Sequence, residues 1–89
     1  MKTSEIMREQ IFEIIRNQIK DNNPPETNET LKRLLALGYT EFVAKQHIGQ
    51  CIAVELFDII KNKKPFDLTR YITHLKQLPK EPFDDEESE

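Results

Sequence analysis

His47, Cys51 and Glu55 recur at intervals of four in the chain. On a helix turning about 100° per residue they stack along one side, with Asp58 nearby. Imidazole, thiolate and carboxylate are ligand types for zinc or iron, so His47, Cys51 and Glu55 are the candidate metal ligands. His74, on a later segment, could approach them. Nothing of the C-x-x-C, H-x-H or H-E-x-x-H kind accompanies them, and the spacing alone specifies no metal. Cys51 reads equally well as a small apolar side chain.

Glu55 carries the sharper question. Its direction falls between Cys51 and Ile48, inside an otherwise apolar sector, where a lone carboxylate is costly. Its head therefore either pairs with a cation such as Arg8, Arg16 or Arg70, or lines a polar pocket. Catalysis would require a second group at a defined spacing. The sequence offers no nucleophile–base pair and no phosphate loop. The expectation is a non-enzymatic protein with no catalytic residues and no cofactor.

These residues sit in the stretch Thr40 to Asn62, TEFVAKQHIGQCIAVELFDIIKN. Its apolar side chains cover roughly two-thirds of the helical circumference. Gln50, Lys61, His47 and Asp58 form a thin strip left for water. A helix apolar on nearly all sides must be wrapped by other protein, which makes this stretch the central post of a helical domain. If a partner covers part of it, His47, Gln50, Val54 and Asp58 are the candidate contact residues.

Three further helices follow from spacing and punctuation. Met7, Ile11, Ile14, Ile15 and Ile19, with Phe12 beside them, define a first helix over about 4–20, capped by Thr3 or Ser4. Ile6 falls off that face. Asp21-Asn22-Asn23-Pro24-Pro25 breaks it, and Asn23 with Glu26 resembles a capping box for a second helix, with Thr27 a rival cap. That helix, about 25–37, carries Leu31, Leu34, Leu35 and Leu37 and stops at Gly38. Gly49 and Ala53 mark where a neighbour can cross the third helix, 41–62, closely. Lys61, Lys63 and Lys64 suit the negative end of its dipole. Asp67 caps a fourth helix, about 68–78, in which Phe66 and Tyr71 form a hydrophobic staple and Pro79 is the stop. Phe83 is expected to dock on the core.

The chain of 89 residues makes one domain, residues 1–83, followed by an acidic tail, 84–89, expected to be disordered. Of 16 acidic side chains, five lie in the tail, so residues 1–83 carry 13 basic and 11 acidic groups, a net +2. That near balance predicts no nucleic-acid partner. A helix-turn-helix over Leu31–Gln50 would present Lys45, Gln46, His47 and Gln50 without an arginine, a poor phosphate-binding strip. The first apolar residues are interrupted by charge, as no signal peptide is, and no run approaches the length of a membrane span. With Cys51 the only cysteine, no intramolecular disulfide can form. A soluble protein of the reducing cytoplasm is expected, with a protein partner or a second copy of itself.

Leu37-Gly38-Tyr39-Thr40, followed by Ala44, resembles the loop of ubiquitin-associated domains, where a Met-Gly-Phe-type turn binds ubiquitin. The likeness covers about a dozen residues. It departs afterwards, because that family has a short second helix where this chain continues for about 20 residues. Over roughly Lys20 to Phe83, the segments DNNPPET, LGYT, VELFDIIKNKKPFDLTRY and LKQLP resemble small uncharacterised bacterial proteins. That resemblance implies a compact all-helical fold and supplies no activity, ligand or site.

The sequence thus predicts an all-α, four-helix domain and an interaction module. The rival reading is a small-ligand or metal-binding protein using the Glu55, His47 and Cys51 side of the third helix. A second rival is the weak helix-turn-helix nucleic-acid binder.

Overall fold

A computed structural model describes residues 3–80 and 82, with side chains from Met7 onward. The caps expected at Thr3 or Ser4, the position of Ile6, the docking of Phe83 and the acidic run 84–89 lie outside the described residues. Four helices follow in order: α1, Thr3–Asp21; α2, Pro25–Ala36; α3, Glu41–Asn62; and α4, Leu68–Gln77. The described residues contain no strand. None of these helices is long and apolar enough to cross a membrane.

The connections are closed by local hydrogen bonds that the chain encodes. Asn22 takes the left-handed conformation (φ 51°). The Asn23 amide then donates to the Gln18 carbonyl at 3.0 Å and the Asn22 amide to Ile19 at 3.3 Å, the paired bonds that end a helix. Gly38 (φ 107°) repeats the device after α2, with the Tyr39 amide reaching the Leu34 carbonyl at 3.2 Å. The Thr40 hydroxyl accepts from the Val43 amide at 3.2 Å and the Asp67 carboxylate from the Arg70 amide at 3.1 Å. Both are the expected caps of α3 and α4. Phe66 meets Tyr71 edge to face at 5.4 Å, completing the staple.

The start of α2 differs from the expectation. Pro24 occupies the capping position, with no side-chain cap, and neither Asn23 nor Thr27 serves. Thr27 instead points inward, fully buried, because α2 buries Thr27, Thr30, Leu31 and Leu34 on one face. Leu35 and Leu37 turn to solvent.

α3 packs against α1, α2 and α4. Its buried side chains are Ala44, Ile48, Cys51, Ile52 and Glu55, which join Ile15, Leu34, Tyr71, Leu75 and Leu78 in one core. Gly49 lets α1 come close, since a Cβ there would lie 3.0 Å from the Ile11 Cγ2. Phe12 stacks on Phe42 at 5.9 Å; Met7 and Arg8 lie beside Gln50 and Ala53, and Arg16 beside Glu41 and Lys45, so α1 and α3 run in opposite senses.

The wrapping of α3 is incomplete, and this corrects the picture of a post hidden on nearly all sides. Phe42, Phe57 and Ile60 are 59, 62 and 63 % exposed. Three neighbours cannot encircle a helix of 22 residues, two of them having only 12 and 10. One side of α3 is therefore left open toward both ends, at Phe42 and at Phe57 and Ile60, with Gly49 between them covered by α1.

Candidate functional site

The predicted ligand set does not assemble. Glu55 is fully buried, and both its oxygens are engaged. The Arg70 Nε donates to Oε2 at 2.6 Å, Arg70 Nη2 to Oε1 at 3.0 Å, and the Asp67 amide to Oε1 at 2.9 Å. Arg70 alone, among the three cations considered, meets it. A two-pronged guanidinium–carboxylate contact with an added amide offsets much of the cost of burying a carboxyl group. Asp58 joins from the rim, accepting from Arg70 Nη2 at 3.0 Å and from Asn62 Nδ2 at 2.6 Å. The Asn62 bond and then the Arg70 bond hold the Asp58 carboxyl below the usual carboxylate range. The paired carboxylates raise the Arg70 pKa further, so the guanidinium stays charged.

Cys51 is buried, and its thiol points to the His47 carbonyl at 3.9 Å. Loss of water pushes its pKa up to about 12, whereas a metal ligand or nucleophile needs the thiolate. The His47 ring meets Tyr39 edge-on at 5.2 Å. Among the described residues no three His, Cys, Asp or Glu side chains are placed to hold a metal ion.

A polar cluster that the spacing did not reveal lies in the core. The hydroxyls of Thr27 and Tyr71 each donate to the Gln18 Oε1 at 2.7 Å and lie 3.2 Å from one another. Tyr71 is fully buried, and burial pushes its phenol up to about 12. The cluster ties α1, α2 and α4 together with every hydroxyl satisfied, which makes it a structural lock. Arg33 does similar work on the surface, donating to the Leu75 and Leu78 carbonyls at 2.8 and 2.6 Å, where α4 ends. The signal for Thr27 was available: 27, 30, 31 and 34 share one helical face, but threonine there reads as a cap rather than as core.

What remains open is the outer side of α3. Phe42, Gln46, Ala53, Phe57 and Ile60 lie within a narrow arc at about 100° per residue. Phe42, Gln46, Phe57 and Ile60 are exposed and Ala53 is half-buried. Beside them, Met7 and Ile11 of α1 and Gly49 and Ala53 of α3 line a shallow groove between the two helices. Lys61 lies 5.2 Å above the Phe57 ring. Of the candidate contact residues, Gln50 edges this groove. His47, Val54 and Asp58 are half-buried on the neighbouring sector. Compared with protein-family models, curated proteins and solved structures, the chain matches none.

Proposed function

We propose that this chain is a non-enzymatic protein-interaction module of the cytoplasm, and that it receives its partner on the open side of α3. The observation that carries the reading is the contrast within one helix. Ile48 and Ile52 are fully buried, yet Phe57 and Ile60, one to two turns on, are more than 60 % exposed. Single exposed apolar residues are ordinary; large ones aligned on one strip beside an apolar groove mark an interaction surface. The balanced charge of residues 1–83 fits a protein partner better than a nucleic acid. The metal-binding reading is disfavoured because Glu55 and Cys51 are already committed to packing and pairing.

Site-specific photo-cross-linking in the native cell tests this. A photoreactive side chain at position 57 or 60 should give a discrete adduct, and one at Lys32, exposed on α2, should not. Equal labelling from all three positions, or none from α3, contradicts the proposal.

A further inference from the structure

We propose that the partner brings an acidic segment with an apolar face, laid in the groove between α1 and α3 and across the end of α3. The inference rests on the reading of the open α3 side as a protein-docking face and states the chemistry of what docks there.

The charge around the exposed apolar residues has one sign. Lys61, Lys63 and Lys64 are exposed where α3 ends, within four residues of Ile60. Arg8 is exposed and lines the groove with Ala53, about one turn before Phe57. None of these four cations forms an ion pair with a described residue. Among the described residues no acidic side chain lines the groove.

The carboxylates closest to the lysines are already engaged. Glu55 takes Arg70 and the Asp67 amide, and Asp58 takes Arg70 and Asn62. Asp67 accepts from the Arg70 amide as the cap of α4. Asp58 feels Lys64 only through space. The helix dipole accounts for part of the positive charge, because its negative end is met within the last turn, where Lys61 lies. Lys63 and Lys64 add more beyond Asn62, in the connection to α4. Lys61 also sits over the Phe57 ring, so cation and apolar surface are presented together.

Shape narrows the class of partner. A groove between two helices, walled by Met7, Ile11, Gly49 and Ala53, is filled by the side chains of a docked segment. A flat bilayer surface would leave it empty. The apolar side chains of that segment would rest on Ala53, Phe57 and Ile60, with carboxylates toward Arg8 at one end and the lysines at the other. Ala53 to Lys61 is about 12 Å along α3, which about eight residues of a docked helix cover. Such complementarity fixes orientation and makes association salt-dependent.

The test uses the full chain in its native cell, with a photoreactive side chain at position 57. Replacing Lys61, Lys63 and Lys64 together by glutamate should lower the yield of the protein adduct about tenfold, and replacing them by arginine should leave it within about twofold. Arg8→Glu should lower it severalfold without altering the end of α3. Unfolding midpoints of the purified variants identify those that stay folded. Sequencing the cross-linked peptide should find acidic residues in excess of basic ones. Either charge reversal leaving the yield unchanged in a folded protein overturns the inference, as does a neutral or basic peptide; the docking face then stands. An adduct with nucleic acid or lipid in place of protein, or none from α3, overturns both readings.

Discussion

Arg70 closes on Glu55 from fifteen residues away, with two of its nitrogens on the two carboxylate oxygens at 2.6 and 3.0 Å. One partner is fully buried and the other partly exposed. The arrangement fixes the start of α4 against the second half of α3, because the same carboxylate also takes the Asp67 amide at the helix cap. Removing Glu55 leaves the Arg70 Nε and the Asp67 amide without their acceptor, while Asp58 still takes Arg70 Nη2. Glu55→Leu should therefore lower stability by roughly 2–3 kcal/mol, below the range for fully buried pairs because Arg70 reaches water. Glu55→Gln, which retains an acceptor, should lose less. Denaturant unfolding measures both; a gain from leucine would contradict the structural role.

At Gly49 α1 packs close against α3, Ile11 Cγ2 lying 3.0 Å from where a Cβ would stand. A larger side chain there has to displace Ile11. Gly49→Leu should cost about 2–3 kcal/mol despite leucine's better helix propensity, read as a fall in the unfolding midpoint. Equal or higher stability would mean that the helices are not held together there.

Two buried acids make the fold sensitive to alkali. Burial pushes the Cys51 thiol from 9.0 up to about 12. The Tyr71 phenol is pushed from 10.0 up to about 12. The unfolded chain releases these protons first, so stability is fully present below pH 9 and declines as pH rises toward about 12. Tyr71 alone accounts for roughly 2–3 kcal/mol of that decline. In Tyr71→Phe the fall above pH 10 should be shallower, while Thr27 still donates to Gln18. An unfolding free energy flat from pH 8 to 12 would contradict the burial of both groups.

The same burial governs thiol chemistry. Cys51 should react with a thiol reagent in the native protein orders of magnitude more slowly than a free thiol, at a rate that tracks unfolding. Fast native labelling would place Cys51 at the surface.

The helices were legible because their signals are local. Asn22, Gly38, Thr40 and Asp67 act through hydrogen bonds to residues a few places away, and three of the four helix starts or stops they mark need nothing from the tertiary fold. The inward-facing Thr27 was not, because a threonine near a helix start satisfies the same local rules whether it caps or packs. Only its meeting with Gln18 and Tyr71 distinguishes the two. Glu55 was legible as a problem, a carboxylate in an apolar sector, and Arg70 as one of its solutions. The open strip was hidden for a different reason. Periodicity reports which sides of α3 are apolar, but how many of them are covered depends on the lengths and angles of the neighbours. Phe57 and Ile52 look alike in the sequence and differ completely in exposure.

That difference provides the most direct test of the two-sided α3. The unfolding free energy of the Phe57→Gln, Ile60→Gln double variant, measured in dilute solution, should lie within about 1 kcal/mol of the unmodified protein. The small loss includes the Lys61–Phe57 contact. Ile52→Ala, on the covered side, should cost about 2–5 kcal/mol. A double variant destabilised as much as Ile52→Ala would show that Phe57 and Ile60 belong to the core, and the open docking face would not exist.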